Sequence, residues 1–435
     1  MLLMGFIHEH IILPISDLVK GESVHSNMCF LRKAETWDEM KLNAYQDEKI
    51  RELVGYLAVE VPYYQEWFIR NNVNPQEIQS VDDLHKLPIV NKALIRSEGI
   101  ERFAACGFPK SKRMVSRSSG STGEPFTYYE SKLSYSVNMA AKLRTWYQAG
   151  YRLGDRYMKI VNGARSGKLK QLQDGMNRCI YVPFYSFNDD SLKSILDTIE
   201  KRKPSIIRSY PIPLYLLAQY RNSHSGYQFN PRHVMTTGST LPLEYRKEIE
   251  RAFGCDVIDS YSCEGTPNTY ETPIHDGYHI TSVYGIIEVL DDQDMPVVNG
   301  VGRVVSTDFW NLAHPFVRYD TMDSVEVKNG RIIGIIGRNS DILVCNNGMV
   351  FTVHNFSHFF LHDINSVEAY QIVRHKNNTI TFRLLVNKQF NDNTERQVVD
   401  FWQQRLEMPV DVELVEEIPL MNNNKRLTII NETVD

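Results

Sequence analysis

Segments with strand character alternate with amphipathic helical segments through the middle of this 435-residue chain, and this alternation restricts the fold more than any other feature. The predicted strands and helices are, in chain order, helix 131–149, strand 157–161, helix 190–201, strand 205–209, strand 233–237, helix 243–253 and strand 255–260. Repeated strand–helix units of these lengths build sheets that helices cover on both faces. The pattern therefore predicts an α/β domain with a largely parallel sheet.

The pattern changes towards the C-terminus. Beyond about residue 278 the predicted strands are short and separated by turns, which indicates a β-rich subdomain at about 278–337. After a polar, turn-rich stretch, one predicted helix at 394–406 lies between strand segments. We therefore predict a large N-terminal α/β domain, 1–339, and a small α+β C-terminal domain, 340–435, since a chain of this length exceeds one compact core.

Composition excludes several classes of protein. Hydrophobic residues make up 42% and charged residues 23% of the chain, as in folded soluble proteins. The net charge of −5 gives no basic surface for nucleic acid, so no nucleic-acid partner is expected. Six scattered cysteines without a Cys-x-x-Cys pair favour a reduced, cytoplasmic compartment.

The N-terminal residues 1–13 are apolar, but charged and histidine residues interrupt them. The segment is too short to span a bilayer, and no other segment approaches transmembrane length. We interpret it as an arm that packs on the body of the protein. Peripheral contact with a membrane or a partner is the alternative.

Residues 118–125, Ser-Ser-Gly-Ser-Thr-Gly-Glu-Pro, have the most distinctive local composition. Glycines allow backbone N–H groups to converge, and the hydroxyl groups add donors for phosphate oxygens, which suits a loop that closes over ATP. The Gly-Lys-Ser/Thr of a Walker A loop is absent. A solvent-exposed Ser/Gly turn would have the same composition.

Two further polar segments follow predicted strands of the parallel sheet. Residues 236–242 open into a helix, and residues 259–265 follow the strand near 255–260. Ligands of open α/β sheets bind at the carboxyl ends of strands, where a tyrosine ring can stack on a base and a carboxylate can hold Mg²⁺. An ordinary loop, a tyrosine at the edge of the core and a solvated glutamate are the alternatives.

Three segments nearer the C-terminus place charged residues in predicted turns. Asp320 and Asp323 suit a bidentate grip on ribose hydroxyls, or they cap the turn themselves. Arg338 suits phosphate binding, or it belongs to a plain surface turn. Lys425, between apolar runs, is ordinarily a solvated charge.

Together, and in this order, these segments resemble the adenylate-forming (acyl-activating) ligases, in the branch that contains phenylacetate–coenzyme A ligase and the capsule-cluster proteins of CapK type. The similarity covers nearly the whole chain, including Val61-Pro62-Tyr63-Tyr64 and residues 83–92. The most specific match is the run from Thr307-Asp308 through Pro315 and Arg318-Tyr319-Asp320-Thr321 to Asp323.

The resemblance implies a role for each segment. The residues implied to bind ATP are Ser118, Ser119, Gly120, Ser121, Thr122 and Gly123 at the phosphates, Gly238, Ser239, Thr240 and Tyr261 at the adenine and acyl pocket, Asp323 at the ribose and Arg338 at a ribose or phosphate oxygen. Glu264 is implied as a catalytic residue near Mg²⁺, and Lys425 as the catalytic lysine that bridges carboxylate and α-phosphate. The small C-terminal domain is then a mobile lid with Ser340 at its hinge.

The chain also departs from the family pattern. The aromatic motif is one residue shorter than usual, so Tyr261 or Ser260 takes the tyrosine position. Ser340 replaces a common hinge Asp, Met322 a usual Gly, and Asn424 the Gly before the lysine. Some relatives hold a structural zinc after this motif. Here Glu271-Thr272-Pro273 lacks the cysteine, so we predict no zinc despite His275 and His279.

The resemblance implies an enzyme that uses ATP and Mg²⁺ to convert a carboxylic acid into an acyl-adenylate and then transfers the acyl group to coenzyme A or an amine. The capsule-type likeness adds a role in surface polysaccharide biosynthesis, with a nucleotide sugar as one substrate option. A catalytically altered relative that binds nucleotide or a partner protein is the alternative, and an ADP-forming phosphotransferase is a third. The acid, the acceptor and the choice between monomer and homodimer stay open.

Overall fold

The structure is a computed structural model. It describes residues 2–117, 127–162, 167, 173–184, 189–338, 342–345, 350–352, 356, 359–360, 364, 366–416, 418 and 429–433. The chain divides into two compact units. Unit 1 comprises Met1–Ser116, Tyr128–Thr321 and Val325–Ile335, and unit 2 comprises Arg117–Thr127, Met322–Ser324 and Ile336–Asp435.

Unit 1 begins with helices. They are α1 (Leu2–Ile7), α2 (Leu13–Lys20), α3 (Val24–Ala34), α4 (Glu39–Glu60), α5 (Pro62–Arg70), α6 (Lys92–Glu98) and α7 (Ile100–Phe103). A π-helical turn, His8–Ile12, joins the first two. The Asp38 carboxylate accepts a hydrogen bond from the backbone N–H of Lys41 at 2.8 Å and so starts α4. Pro62 starts α5 at the position where a helix tolerates proline.

A seven-stranded sheet forms the centre of unit 1, with strand order β4-β3-β5-β6-β7-β8-β9. Its strands are β3 (Tyr157–Asn162), β4 (Cys179–Phe184), β5 (Ile206–Ser209), β6 (His233–Thr237), β7 (Val257–Tyr261), β8 (Thr269–Glu271) and β9 (Tyr278–Ile280). The first five strands of that order pair in parallel, and β8 and β9 complete the sheet in antiparallel fashion. A short pair precedes it, β1 (Met114–Arg117) with β2 (Thr127–Glu130).

Helices cover both faces of this sheet. They are α8 (Lys132–Gln148), α9 (Asp189–Arg202), α10 (Pro211–Ser223) and α11 (Leu243–Phe253). The apolar side chains of α9, α10 and α11 pack with Ile160 and Ile207 in one core. On the opposite face, α3 and α8 pack with Ile206, Met235 and Ile258 in a second core. Neighbouring residues of a strand point to opposite faces, so Ile206 and Ile207 enter different cores.

A four-stranded sheet of order β10-β11-β12-β13 follows. Its strands are β10 (Gly285–Leu290), β11 (Gly300–Asp308), β12 (Tyr319–Lys328) and β13 (Arg331–Arg338). Strands β10 and β11 are antiparallel, with Gly285 opposite Asp308. Val304, Val325, Val327 and Ile332 form its small core.

Most of unit 2 is C-terminal, where a four-stranded sheet of order β18-β17-β16-β19 packs with one helix. The strands are β14 (Ile342–Val344), β15 (Val350–Thr352), β16 (Val367–Arg374), β17 (Ile380–Val386), β18 (Val410–Leu414) and β19 (Ile429–Asn431), and the helix is α12 (Asp392–Leu406). Strands β14 and β15 pair with each other. Phe356, Phe382 and Trp402 lie at the centre of the core.

The predicted α/β class, with a β-rich part and a separate α+β C-terminal part, is confirmed. The domain boundary at 339/340 stays a prediction, since residues 339–341 are outside the described ranges. No helix in the described ranges combines the length and the apolarity that crossing a bilayer requires.

Candidate functional site

The carboxyl ends of β6 and β7 bring two of the predicted ligand segments side by side. These strands pair in parallel, with Thr237 opposite Ser260, so residues 238–240 and 262–264 leave the same edge of the sheet. Gly238 has a φ of +79°, and a Cβ added to it would lie 2.7 Å from a ring carbon of Tyr210. Glycine is therefore required there for both conformation and space. Ser239 is exposed and Thr240 is half-buried, so the segment is open to a ligand.

The buried carboxylate of Asp259 stabilises this edge of the sheet. Asp259 accepts hydrogen bonds from the Thr236 hydroxyl at 2.5 Å and the Tyr278 hydroxyl at 2.6 Å. Burial raises the pKa of Asp259 to about 6, and these two donors partly offset that rise. The backbone N–H of Asp259 donates to the Glu271 carboxylate at 3.0 Å, and Arg246 donates to the same carboxylate at 2.6 Å. This network of hydrogen bonds connects β6, β7, β8 and β9 next to the two segments.

Tyr261 and Ser260, the two candidates for the tyrosine position, have different surroundings. The Ser260 hydroxyl donates to the Thr236 carbonyl at 3.0 Å and stays within the sheet. The Tyr261 hydroxyl donates to Thr321 Oγ1 at 3.4 Å, at the start of β12. Tyr261 is therefore the aromatic side chain that connects the sheet edge to the most specific sequence motif.

A tight turn positions Glu264. Thr266 Oγ1 accepts from the backbone N–H of Cys263 at 2.6 Å and donates to the Cys263 carbonyl at 2.8 Å. Gly265 has a φ of +70° and lies against the Phe316 side chain, where a Cβ would come within 2.4 Å. The Glu264 carboxylate is half-buried and lies 3.0 Å from the Cys263 thiol. A single half-buried carboxylate of this kind suits Mg²⁺ held mainly by substrate phosphates and water.

Strand β2 follows the Ser/Gly segment, and its residue Tyr128 lies near Glu264. Burial raises the pKa of Tyr128, and the nearby carboxylates of Glu130, Glu264 and Asp308 raise it further. Asp308 is itself buried, and burial raises its pKa to about 7, although it accepts a hydrogen bond from the Trp310 backbone N–H at 2.7 Å. The start of β2 therefore lies in the electrostatic field of Glu264.

Sequence reasoning missed Tyr128 and Glu130, and it gave Asp308 no role of its own. Only the positions of these residues in the sequence could have indicated that they belong to the site. Tyr128 and Glu130 come a few residues after the Ser/Gly segment, and Asp308 opens the motif run.

Residues 319–323 of the motif form the first half of strand β12 and not the turn that the sequence suggested. Asp320 is buried and accepts from Nε of the half-buried Arg303 at 3.1 Å, so it belongs to an ion pair. Met322, at the usual glycine position, has a φ of +63°. Asp323 is buried on the same strand, with 6% of its surface exposed.

Several predicted site residues cannot be placed as side chains. Ser118, Ser119, Gly120, Ser121, Thr122, Gly123, Ser340 and Lys425 lie outside the described residues. Arg338 is described only as the last residue of β13. Their roles stay predictions, as do those of Gly238, Ser239, Thr240, Tyr261, Glu264 and Asp323.

The segment compared with a zinc site has other partners. Glu271 pairs with Arg246, and His279 pairs with Asp276 at 2.8 Å. Within the described ranges, no group of three or more His, Cys, Asp or Glu side chains is arranged to hold a metal ion.

Comparisons with known proteins find related sequences over most of the chain. Residues 343–432 match the CapK C-terminal domain family. Protein CapK of Staphylococcus aureus is 24% identical over 366 residues, which cover 80% of this chain and 79% of that protein. A phenylacetate–coenzyme A ligase of Thermus thermophilus is 25% identical over 349 residues, covering 73% of this chain and 75% of the relative.

A solved structure extends the likeness to the fold. The crystal structure of 2-hydroxyisobutyryl-CoA ligase, in the postadenylation state with R3-HIB-AMP, aligns with a TM-score of 0.67 at 17% identity, over 91% of each chain. At this identity the alignment shows that the two chains share a fold. Over most of its length the chain is therefore similar to CapK and to phenylacetate–coenzyme A ligases, and it has the fold of an adenylate-forming CoA ligase.

Proposed function

We propose that this protein is an AMP-forming acid ligase that uses ATP to activate a carboxylic acid as an acyl-adenylate. The observation that carries the proposal is the meeting of residues 238–240 and Glu264 at one sheet edge, with Tyr261 linked to the motif strand β12. The same edge binds ligands in other open α/β folds. The described part of the site contains no Ser-His-Asp arrangement, and this reaction requires no protein nucleophile.

The reaction joins two anions. A carboxylate oxygen attacks the α-phosphorus of ATP, the bond to the β-phosphate oxygen breaks, and pyrophosphate leaves. An acceptor, a coenzyme A thiol or an amine, then attacks the acyl carbon and AMP leaves. Cations must offset the repulsion between carboxylate and triphosphate during the first step. Mg²⁺, when bound, would supply part of that positive charge beside Glu264.

The chain's own residues would bind and orient the nucleotide. Hydroxyl and N–H groups of residues 118–123 would hold the phosphates, Tyr261 would border the adenine and acyl pocket, and Asp323 would accept from the ribose hydroxyls. Lys425 would bridge the carboxylate and the α-phosphate. If the C-terminal domain rotates about Ser340, one site serves both half-reactions in turn.

The biological setting is part of the proposal. Similarity to CapK supports a role in capsular or surface polysaccharide biosynthesis, with a sugar-linked acid or amine among the substrates. A cytoplasmic location fits the need for ATP and coenzyme A. The altered residues Ser340 and Asn424 keep a nucleotide-binding, non-catalytic relative as the competing function.

Pyrophosphate release tests the proposal. The purified protein is mixed with ATP and aryl acids, fatty acids, amino acids or uronic acids, with and without coenzyme A. At least one acid is expected to trigger release of pyrophosphate and AMP. Glu264→Gln is expected to lower the rate by about 10²-fold or more, since it removes a charge from the metal site, while Glu48→Gln on the exposed surface of α4 leaves it unchanged. ATP binding without release for any acid would support the non-catalytic function instead.

A further inference from the structure

The sheet face that packs against α8 changes character just before its carboxyl edge. Tyr157 and Ile206 are opposite each other on β3 and β5, and both belong to the apolar core of this face. Two residues further on, the register partners on the same face are Lys159 and Arg208. Lys142 lies on α8, the helix that covers this face, and its charge interacts with those of Arg208 and Lys159. Three cationic side chains therefore gather where an aliphatic core would otherwise continue.

Trp146 lies among these cations. It follows Lys142 by one helical turn. The Lys159 ammonium lies 5.8 Å from the centre of the Trp146 ring, and the Arg208 guanidinium carbon lies 5.7 Å from it. Such contacts orient the two cations over the ring.

Two of these cations, Lys142 and Arg208, have no carboxylate in an ion pair with them in the described part of the chain. Arg208 Nε is buried and has no hydrogen-bond partner within the described part of the chain. Burial lowers the pKa of Lys142 to about 8, and Arg208 and Lys159 lower it further while Glu130 opposes the shift. Burial also lowers the pKa of Arg208. A bound anion would relieve this accumulation of like charge.

The cluster adjoins the proposed acyl site. Arg208 precedes Tyr210 by two residues, and the Tyr210 ring lies against Gly238, where a Cβ would come within 2.7 Å. Met235, the partner of Arg208 on β6, comes three residues before Gly238. The cations on β3 and β5 and residues 238–240 therefore lie near the same carboxyl edge of the sheet.

We propose that Lys142, Lys159 and Arg208 bind a second anionic group of the acid substrate, a carboxylate or a phosphate-type group remote from the carboxylate that is activated. This inference rests on the proposed function, since it names the class of acid that the ligase uses. A guanidinium and ammonium groups can bind both kinds of oxyanion.

Matched acids test the specificity. ATP–pyrophosphate exchange is measured with succinate, glutarate, adipate and 3-phosphonopropionate, and with the monomethyl ester of each dicarboxylate. At least one dianionic acid is expected to exceed a monoanionic acid of equal length by about tenfold or more in kcat/KM. The phosphonate shows whether the second group is preferred as carboxylate or as phosphate.

Variants locate the effect. Arg208→Met and Lys142→Met are expected to abolish the preference through KM for the acid and to leave KM for ATP unchanged. Arg208→Lys is expected to keep part of it. Lys201→Met, an exposed lysine of α9, is the matched control and keeps the full preference. Loss of exchange with every acid in a folded Arg208→Met protein, or an unchanged preference, would overturn the assignment.

Trp146 provides a readout that does not need catalysis. Binding of the same dianionic acids is expected to change tryptophan fluorescence in the wild type and not in Trp146→Phe or Arg208→Met. If exchange fails with every acid while this signal appears, the proposed function is wrong and the anion subsite stands. If diacids and half-esters exchange equally and the signal is absent, the subsite is wrong and the ligase function stands. Absence of both exchange and signal overturns both.

Discussion

Single residues in this protein owe their chemistry to neighbours that the sequence does not place beside them. Gly238 and Glu264 lie in segments whose composition already indicated a ligand site. The cations Lys142, Lys159 and Arg208 gave no such signal, because they come from three elements and only the register of β3 with β5 joins two of them. Asp320 was predicted in a turn, but it lies in a strand and is paired with Arg303.

Asp308 gives a prediction at this scale. Burial raises its pKa to about 7 in the folded protein, so between about pH 4 and pH 7 the folded state holds a proton that the unfolded state has lost. The free energy of unfolding therefore falls as pH rises through this window. Above pH 7 the buried carboxylate is ionised, and its whole destabilising effect is present. Asp308→Asn cannot ionise, so the variant is expected not to lose stability over this range of pH. The loss in the wild type is at most about 4 kcal/mol, since one unit of pKa corresponds to about 1.36 kcal/mol.

Urea denaturation at pH 4, 5.5, 7 and 8 measures the difference between the two proteins. Asp292→Asn, at an exposed site, is the control and should keep the wild-type pH dependence. If the free energies of unfolding of the wild type and Asp308→Asn change with pH in the same way, the prediction is wrong and the pKa of Asp308 is not raised.

Helices and strands could be predicted from the sequence where apolar residues recur at the spacing typical of a helix or a strand. Helix α11 and strand β6 have the predicted bounds, and β3 is one residue longer than predicted. Helix α10 was not predicted, and it contains two prolines near its start, Pro211 and Pro213. The structure shows a helix that begins with Pro211, where the missing N–H costs nothing. Helix α5 begins at Pro62 for the same reason.

Arg318 connects elements that are distant in sequence, and it gives the second prediction. Its guanidinium donates to the Glu288 carboxylate on β10 at 3.1 and 3.2 Å and to the Leu87 carbonyl at 2.9 Å, with only 4% of its side chain exposed. Arg318→Met leaves Glu288 without this partner. We expect the free energy of unfolding to fall by about 3–5 kcal/mol, as for other broken buried pairs.

A double-mutant cycle completes this test. Arg318→Met with Glu288→Gln is expected to recover part of the loss, because no unpaired charge remains. Arg331→Met removes an exposed pair with Asp276 and is expected to cost less than about 1 kcal/mol. A similar small cost for Arg318→Met would contradict the structural role.

At the scale of the whole molecule, the sequence predicted the fold class and a separate C-terminal part, since the rhythm of strands and helices changes twice. It did not predict that short segments, Arg117–Thr127 and Met322–Ser324, would group with the C-terminal unit. Contacts between distant segments decide such grouping, and local patterns carry no information about them.

The C-terminal unit has its own core, so we expect a fragment of residues 337–435 to fold alone. Its single tryptophan, Trp402, is 2% exposed and packs with Phe356 and Phe359 of the same fragment. The fragment is expected to unfold in one cooperative transition in urea, with a shift of tryptophan emission to longer wavelength. Emission typical of exposed tryptophan in the absence of urea would show that this core needs the rest of the chain.

Oxygen transfer tests the central claim most directly. When a carboxylic acid that supports pyrophosphate release is labelled with ¹⁸O in its carboxylate and reacts with ATP and an acceptor, attack on the α-phosphorus carries one labelled oxygen into AMP. We predict AMP with a single ¹⁸O atom, detected by mass spectrometry, and the same label in the acyl-adenylate when the acceptor is withheld. Unlabelled AMP, or ADP as the nucleotide product, would contradict activation through an acyl-adenylate.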